Sequence, residues 1–425
     1  MRFEKLFSPT RVGALELKNR LVVPPMATTL CGEDGAVTDR FLAYWVRRAK
    51  GGWGLLIVEF TAVEPRGKES PRAPGLWDES FVEGFSRLTH AVHSLGAKMV
   101  VQIGHAGRQT FSGITKLQPV SPSPLPCPVD RQLPGPVSKE PIRCTMNPFS
   151  GREMELEVRP SRRPKRVIVV GGGPAGLECS WILAKRGHHV ILYEKAQRPG
   201  GQLRLASVPP FKQEISKAVS WLTRMCEANG VEMRLGREAT TEDILSCAPE
   251  AVIVATGARP CRPEIKGIDG KSVIFFNDIL EGRRFPGDKV LIVGEGRIGC
   301  ELADLLGEYG RAVTIVERLG DIAIDIPFQI REFLLLRLKA YGVRIETRAE
   351  VREILEDGVV FERDGEIGVL KGFDSVVLAL GSMSEHGLKE EIEGKVPEVF
   401  VIGDAVSPRS AREAMEEAAR LASRL

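Results

Sequence analysis

Two glycine-rich turns, 123 residues apart, carry the residue types of this chain that are best suited to chemistry. Residues 165–194 read KRVIVVGGGPAGLECSWILAKRGHHVILYE, and residues 288–317 read DKVLIVGEGRIGCELADLLGEYGRAVTIVE. In each copy a β-branched strand leads into a glycine-rich turn, a helix that ends at glycine, and a second strand that ends in an acid. Glycine lets the backbone approach a pyrophosphate closely, and the positive end of the helix attracts its charge. The pattern predicts two βαβ units that each bind a dinucleotide.

Both copies offer the same candidate ligands. The first glycine permits the tight turn, the second leaves room for the pyrophosphate, and the third lets the helix pack against the strand. These glycines are Gly171, Gly173 and Gly176 in the first copy and Gly294, Gly296 and Gly299 in the second. Glu194 and Glu317, each 23 residues after the first glycine, are placed to accept hydrogen bonds from the adenosine ribose. A lone glycine turn is often purely structural, but two matched copies favour two nucleotide sites.

The composition indicates how many domains the chain forms and which classes of partner it excludes. The chain has 425 residues, of which 43% are hydrophobic and 27% charged, enough for two to four globular domains. A net charge of +3 argues against nucleic acid or an anionic membrane as partner. No apolar run approaches about 18 residues, which predicts no membrane span. Eight cysteines without any C-x-x-C pair, and an N-terminus without an apolar core, predict a cytoplasmic protein with reduced thiols.

Three further segments distinguish the two copies. RPGGQL begins at Arg198, AVIVATGARP follows later, and VFVIGDAVSP lies near the C-terminus. In this order they resemble the two-dinucleotide-domain flavoprotein superfamily. The resemblance implies that the first copy holds FAD and that the ATG segment leads into an inserted NAD(P) domain. The residues that it adds as FAD ligands are Gly201, Gln202, Thr256, Gly257, Gly403 and Asp404.

Ordinary structural roles compete with these assignments. Asp404 precedes a helical run and suits a helix N-cap as well as the ribityl chain of FAD. Thr256 and Gly257 suit an ordinary turn. In the second copy, Glu317 favours a free ribose hydroxyl and therefore NADH, whereas the neighbouring Arg318 leaves NADPH open. Gly381, in the strand that closes the inserted domain, completes the candidate NAD ligands.

The first third of the chain carries a second resemblance. FEKLFSPTRVGALELKNRLVVPPMATT, GGWGLLIVEFTAV and GAKMVVQIGHAGR are similar to the opening strands of the old yellow enzyme barrel, in the NADH:flavin oxidoreductase family. The architecture resembles that of 2,4-dienoyl-CoA reductase and trimethylamine dehydrogenase. The resemblance implies that Pro25, Met26 and Ala27 contact the ring of FMN and that Gln102 hydrogen-bonds its pyrimidine end. Core packing and strand termination are the competing roles for Pro25, Met26 and Gln102.

The chain departs from that family in one large respect. A complete eight-stranded barrel takes about 250 residues, but the first glycine copy begins near residue 165. A Pro-rich stretch at 118–141 leads directly into IRCTMNPFSGRE, which resembles the family's segment around its last cluster cysteine, here Cys144. The three earlier cluster cysteines and the FMN phosphate site are missing. We therefore expect a partial barrel without an iron–sulfur cluster and without stoichiometric FMN.

These observations predict an α/β fold in which a partial (β/α) barrel precedes two Rossmann-like domains, the second inserted in the first. The expected boundaries are 1–117 for the barrel, 118–164 for the linker, 165–271 with 386–425 for the FAD domain, and 272–385 for the NAD(P)H domain. The open edge of the barrel predicts cover by the Pro-rich stretch or by another chain, which leaves a homo-oligomer open.

The predicted function is an FAD-dependent NAD(P)H oxidoreductase. Hydride would pass from NADH to FAD, and electrons would then pass to an external small-molecule acceptor such as a quinone, a dye or dioxygen. No side-chain acid or base is identified, since that step needs none. Two alternatives stay open: an FMN- and FAD-dependent enoate or 2,4-dienoyl-CoA reductase that reduces an activated C=C bond, and an inactive FAD/NAD-binding relic.

Overall fold

The computed structural model divides into two compact units, an N-terminal unit at Met1–Glu157 and a C-terminal unit at Val158–Leu425. The residues that it describes are 3–107, 110, 112–117, 142–294 and 296–425. The Pro-rich stretch at 118–141, predicted to be a linker, lies outside these residues.

The N-terminal unit contains short strands and two long helices among its described residues. Its strands are β1 (Thr10–Val12), β2 (Leu15–Leu17), β3 (Val22–Val23), β4 (Leu55–Ala62) and β5 (Lys98–Gly104). Its helices are α1 (Glu4–Phe7), α2 (Asp39–Lys50), α3 (Val82–His93) and α4 (Ser112–Thr115). Strands β3, β4 and β5 form a parallel sheet with β4 in the middle, and β1 pairs with β2 in an antiparallel hairpin.

The parallel sheet of the N-terminal unit is packed on one face. Helix α2 starts at the cap Thr38, whose hydroxyl accepts a hydrogen bond from the backbone N–H of Phe41 at 3.2 Å. The apolar stripes of α2 and α3 pack against Leu56 and Val58 of β4. On the opposite face, Val100 is 39% exposed. In a complete (β/α)₈ barrel that face would line the filled interior.

The C-terminal unit contains the two glycine copies. Its strands are β6 (Arg166–Val170), β7 (His189–Glu194), β8 (Glu232–Leu235), β9 (Ala251–Val254), β10 (Ala258–Pro260), β11 (Val273–Phe275), β12 (Lys289–Val293), β13 (Ala312–Val316), β14 (Arg344–Glu346), β15 (Glu350–Leu355), β16 (Gly358–Arg363), β17 (Glu366–Lys371), β18 (Ser375–Leu378), β19 (Ser382–Ser384) and β20 (Glu398–Val401). Its helices are α5 (Pro174–Lys185), α6 (Gly201–Ala206), α7 (Ile215–Ala228), α8 (Thr241–Ser246), α9 (Phe276–Leu280), α10 (Arg297–Glu308), α11 (Phe328–Ala340), α12 (Gly387–Ile392) and α13 (Ala411–Arg424).

The two copies build five-stranded parallel sheets that differ in sequence order only at one edge strand, β20 or β11. Within the described residues, the first parallel sheet has the order β20-β9-β6-β7-β8 and the second has the order β11-β18-β12-β13-β14. In both sheets the strand that precedes the glycine turn, β6 or β12, lies in the middle, with the strand of the acid beside it. The α/β fold with two Rossmann-like sheets is therefore confirmed.

The chain leaves the first sheet after β9 and returns to it at β20. Both crossings run through a two-stranded antiparallel ribbon, in which β10 pairs with β19 and Ala258 faces Ser384. Strands β15, β16 and β17 form a separate antiparallel sheet within the intervening segment. The four apolar residues at the end of β6 and the four at the end of β12 are all buried, as expected for strands of a parallel sheet covered on both faces.

Candidate functional site

The first glycine turn requires glycine for reasons that the backbone makes explicit. Gly171 has a φ of 112°, and a Cβ atom there would lie closer than 3.0 Å to the carbonyl oxygen of Ala255. A Cβ atom on Gly176 would likewise collide with the carbonyl oxygen of Gly171. Gly173, the N-cap of α5, has no atom within 4 Å of where its Cβ would lie. The turn thus combines two tightly packed glycines with one that faces open space.

Glu194 lies at the end of β7 beside this turn. Its Oε2 accepts a hydrogen bond from the backbone N–H of Gly172 at 2.7 Å, and its Oε1 accepts one from Ala196 at 2.7 Å. The carboxylate is therefore held in place by the backbone of the turn and of its own loop. Its position at the carboxyl end of the strand is the one at which an acid meets the adenosine ribose in dinucleotide-binding folds.

Most of the predicted FAD ligands line a single cavity of about 350 Å³, called here the glycine-turn cavity. The predicted residues that line it are Gly171, Gly173, Glu194, Gly201, Gln202, Thr256, Gly257 and Asp404. Gly176 lies beneath the helix start, against Gly171, and Gly403 directly precedes Asp404. Segments that are more than 200 residues apart in sequence therefore meet around one space.

The ATG segment is held against the returning chain by its own polar groups. The hydroxyl of Thr256 donates to the carbonyl oxygen of Glu385, and the carbonyl oxygen of Gly257 accepts from the backbone N–H of Glu385 at 3.0 Å. Gly257 has a φ of 80°, which favours glycine. Thr256 and Gly257 therefore join the two crossings between the sheets as well as lining the cavity.

Asp404 is not a helix N-cap. The cap of α13 is Ser410, which forms a capping box with Glu413. Asp404 lies in a short 3₁₀ turn, and its Oδ1 accepts a hydrogen bond from the backbone N–H of Arg409 at 3.1 Å. Burial raises the pKa of the Asp404 carboxyl above its usual value. The competing N-cap role is wrong, and the side chain is left at the wall of the cavity.

Several residues of the cavity wall were not predicted. Besides apolar residues they include the cationic or polar residues Lys195, Arg198, Arg204, Arg259, Asn277 and Arg283 and the acids Glu281 and Glu385. Arg198, Arg204 and Arg259 stand within or next to the motifs RPGGQL and ATGARP, so position alone would have found them. Asn277 and Arg283 come from α9 and the loop after it and carry no motif. The buried Oδ1 of Asn277 has no hydrogen-bond partner within the described part of the chain.

The second glycine turn repeats the backbone geometry of the first. Gly294 has a φ of 106°, and a Cβ atom on Gly299 would lie closer than 3.0 Å to the carbonyl oxygen of Gly294. Gly296 faces open space, as Gly173 does. Glu317 is buried, and its Oε1 accepts a hydrogen bond from the backbone N–H of Leu319 at 2.6 Å, the counterpart of the bond between Glu194 and Ala196.

The remaining candidates for the second site lie at its edge. Arg318 is exposed directly beyond Glu317, and Gly381 has a φ of 81° at the start of the ribbon formed by β10 and β19. The carbonyl oxygen of Gly381 accepts a hydrogen bond from the backbone N–H of Cys261 at 2.9 Å. The structure therefore places all six candidates on the carboxyl-end side of the second sheet or on the segments that leave it.

The four candidate FMN ligands lie on an open face of the N-terminal unit. Met26 is 51% exposed, Ala27 and Gln102 are exposed, and Pro25 is half-buried. Pro25, Met26 and Ala27 follow β3, whereas Gln102 lies in β5, and β4 separates these two strands.

Glu59 of β4 is a titratable group near the candidate FMN ligands that was not predicted. Its Oε2 accepts a hydrogen bond from the backbone N–H of Thr28 at 3.0 Å, and burial raises the pKa of its carboxyl to about 7. Cys144, the candidate remnant of a cluster segment, is exposed. No group of three or more His, Cys, Asp or Glu side chains that could hold a metal ion occurs among the described residues.

Comparison with protein families matches both parts of the chain. Residues 166–418, with a further match at 145–244, fit the family model described as pyridine nucleotide-disulphide oxidoreductase. Residues 5–155 fit the model described as NADH:flavin oxidoreductase / NADH oxidase family. No helix in the described part of the chain has the length and apolar character needed to cross a membrane.

Curated relatives show where the chain is shorter. An NADH oxidase of Thermoanaerobacter brockii is 30% identical, over 95% of this chain and 96% of the relative. That alignment runs over 629 positions, so roughly 200 positions of the relative have no counterpart in these 425 residues. A cinnamate reductase of Clostridium sporogenes is 34% identical over 62% of this chain but only 40% of its own length. Matches to other curated relatives also span less than half of those proteins.

A solved structure shares the fold. The complex of 2-naphthoyl-CoA reductase with 2-naphthoyl-CoA aligns with a TM-score of 0.92, 20% sequence identity, and 99% coverage of both chains. The histamine dehydrogenase of Rhizobium sp. 4-9 aligns with a TM-score of 0.82 at 18% identity, over 100% of this chain and 96% of that chain. At these identities the likeness concerns the fold.

Proposed function

This chain belongs to the pyridine nucleotide-disulphide oxidoreductase family, and we propose that it binds FAD at the first glycine copy and NADH at the second. Its N-terminal region belongs to the NADH:flavin oxidoreductase family. The chain is an NAD(P)H-dependent flavin oxidoreductase. We further propose that it passes the electrons of NADH to an external small-molecule acceptor. The domain boundaries belong to this proposal: 165–271 with 386–425 for FAD, and 272–385 for NADH.

The observation that carries the proposal is the gathering of the predicted FAD ligands around the glycine-turn cavity. Gly173 offers open space at the start of α5, where a side chain would obstruct a pyrophosphate. FAD supplies, when bound, the ability to accept a hydride from a nicotinamide and to release its electrons singly or in pairs. The glycines and cations of the cavity suit the pyrophosphate of that cofactor, and its acids suit the hydroxyl groups.

The side chains of the cavity serve binding and orientation. We assign Glu194 to the ribose hydroxyls of adenosine, and the cations Arg198, Arg204 and Arg259 to the electrostatic balance of the pyrophosphate. Asp404 is assigned to the hydroxyls of the ribityl chain. Hydride transfer between two bound cofactors needs no side-chain acid or base, so positioning is what the protein contributes.

The choice between NADH and NADPH is assigned to Glu317. A buried carboxylate at the end of β13 accepts hydrogen bonds from a free ribose 2′-hydroxyl and repels a 2′-phosphate. Arg318 is exposed beside it and is the residue that would accommodate a 2′-phosphate. We therefore propose NADH as the preferred donor.

An external acceptor is proposed because the N-terminal unit does not fit FMN. Its four candidate ligands lie on an open face, and β4 separates Gln102 from the other three. A lone exposed cysteine, Cys144, does not fit a cluster that needs four thiolates. The internal gap of roughly 200 positions against the NADH oxidase supports the same conclusion. The described cysteines form no disulfide with one another, which supports the proposed cytoplasmic location.

The experiment that tests the proposal is cofactor analysis with an anaerobic NADH titration. Purified protein is assayed for FAD, FMN and iron, and the flavin absorbance is followed as NADH is added. We expect one FAD, no FMN, no iron and full bleaching of the flavin by NADH. Bound FAD that NADH fails to bleach would contradict the proposed reaction and favour an inactive relic.

Reduction of an activated C=C bond is the second candidate function. It is favoured by the match of residues 5–155 to the NADH:flavin oxidoreductase family and by the similarity to a cinnamate reductase. This function predicts stoichiometric FMN and oxidation of NADH under anaerobic conditions that depends on an enoate or an enoyl thioester. Absence of such oxidation, with full bleaching by NADH, would decide for the external acceptor.

A further inference from the structure

The two glycine copies differ at the first residue of their helices. Helix α5 begins with Pro174, which has no backbone N–H. Helix α10 begins with Arg297 at the equivalent position, and its backbone N–H donates to Oδ2 of Asp325 at 3.1 Å. The guanidinium of Arg297 also donates to the backbone oxygen of Asp325 at 3.0 Å. The second copy therefore has a carboxylate of its own at the end of the helix where a pyrophosphate is expected.

Asp325 is presented by the segment that connects β13 to α11. Ile322 and Ile326 of this segment are buried in the core of the second sheet. The guanidinium of Arg331 donates to the backbone oxygen of Ile322 and pairs with Asp321 at 2.6 Å. These anchors hold the segment, while Asp325 itself stays exposed. An exposed carboxylate on an anchored segment can leave the helix end without disturbing the core.

The charges around Asp325 are mixed. Glu301 lies on α10 and forms an ion pair with Lys212. Burial raises the pKa of the Glu301 carboxyl, and the charge of Asp325 adds to that rise while Lys212 and Arg297 oppose it. Glu301 is thus paired with Lys212, and Asp325 is the exposed carboxylate near the start of α10.

We propose that Asp325 takes the place of the pyrophosphate at the start of α10 whenever no nucleotide is bound, and must be displaced when NADH binds. The inference rests on the proposed NADH site and adds a residue that sets its affinity. The backbone N–H of Arg297 serves one acceptor at a time, and two anions at one helix end repel each other. Because α5 has proline at this position, the effect is confined to the second copy.

The test compares Asp325→Asn and Asp325→Ser with the matched control Asp321→Asn, all in the FAD-loaded protein. Asp321 lies in the same segment and is also exposed, but it pairs with Arg331 instead of the helix end. Equilibrium dissociation constants are measured at low salt, without oxygen and with the FAD already reduced so that NADH cannot react, for NADH, for ADP-ribose and for adenosine. We expect both Asp325 variants to bind NADH and ADP-ribose about three- to tenfold more tightly. Adenosine, which has no phosphate, and the Asp321 variant should show no change.

Three results would overturn the inference. Unchanged or weaker binding of NADH and ADP-ribose in both Asp325 variants would show that the carboxylate does not compete, even while NADH bleaches the wild-type flavin. Equal tightening of adenosine would show a general change of the site instead of competition with the pyrophosphate. A wild-type protein that binds neither NADH nor ADP-ribose would instead refute the proposed NADH site, and the inference with it. Flavin content and melting temperature establish that each variant is folded.

Discussion

The parallel sheets of the N-terminal and C-terminal units differ in how completely their two faces are buried. In the C-terminal unit the apolar residues of β6 and β12 are all buried. In the N-terminal unit β5 alternates, so that Val101 packs against the core while Val100 is 39% exposed on the other face. Parallel sheets are normally covered on both faces. The described residues of the N-terminal unit thus carry the motifs of a family on a parallel sheet that is packed on one face and open on the other.

The largest expected effects separate the two glycine copies. Gly176→Ala places a Cβ atom against the oxygen of Gly171, and Gly299→Ala does the same against Gly294. We expect Gly176→Ala to lower FAD content more than about tenfold, because the turn must open. Gly299→Ala should leave the FAD content unchanged but weaken the bleaching of the flavin by NADH more than about tenfold. Flavin content and anaerobic titration measure both.

The control for these variants is Gly387→Ala. A Cβ atom there meets nothing within 4 Å, and the residue has no positive φ. It should change neither flavin content nor bleaching. Loss of the same property in both turn variants would contradict the assignment of one cofactor to each copy.

The acids at the strand ends give the next largest effect. Glu317→Ser should raise the Michaelis constant for NADH about tenfold, because a hydrogen bond to a charged group is lost. Arg318→Ala should raise the Michaelis constant for NADPH alone, and it serves as the control. Steady-state kinetics with a dye acceptor measure both. NADH kinetics that stay unchanged in Glu317→Ser would show that the carboxylate does not contact the ribose.

Local backbone requirements explain what the sequence could predict. A Cβ atom at Gly171, Gly176, Gly294 or Gly299 would collide with a backbone oxygen. The turns therefore require glycine at these positions, and the sequence shows this requirement directly. The order of motifs then predicted which segments meet around the glycine-turn cavity. Asn277, Arg283 and Asp325 could not be predicted, because their positions depend on how long connections fold back over the sheets.

A buried acid of the first copy gives a smaller, pH-dependent effect. Glu178 on α5 accepts one hydrogen bond, from Trp181 at 2.7 Å, and burial raises the pKa of its carboxyl to about 8. A folded-state pKa above the unfolded value means that this group's contribution to stability is complete at low pH and lost as pH rises toward 8. Glu178→Gln, which stays neutral, should therefore gain several degrees in melting temperature relative to wild type as the pH rises from 5 to 8.

The matched control for that measurement is Glu227→Gln, an exposed acid on α7. It should shift the melting temperature equally at both pH values. A difference between Glu178→Gln and wild type that is constant from pH 5 to pH 8 would mean that Glu178 is ionised in the folded protein.

The smallest expected effect tests the open face of the N-terminal unit. Val100 and Val101 are adjacent in β5, and only Val101 packs against the core formed with α2 and α3. Val100→Lys should cost less than about 1 kcal/mol of unfolding free energy, since its ammonium group reaches water. Val101→Lys buries a charge and should cost several times more. Thermal and denaturant unfolding measure both variants. Equal costs would show that the face of Val100 is covered in solution, by another copy or another segment. The parallel sheets of the two units would then differ in what covers their faces, and not in whether both faces are covered.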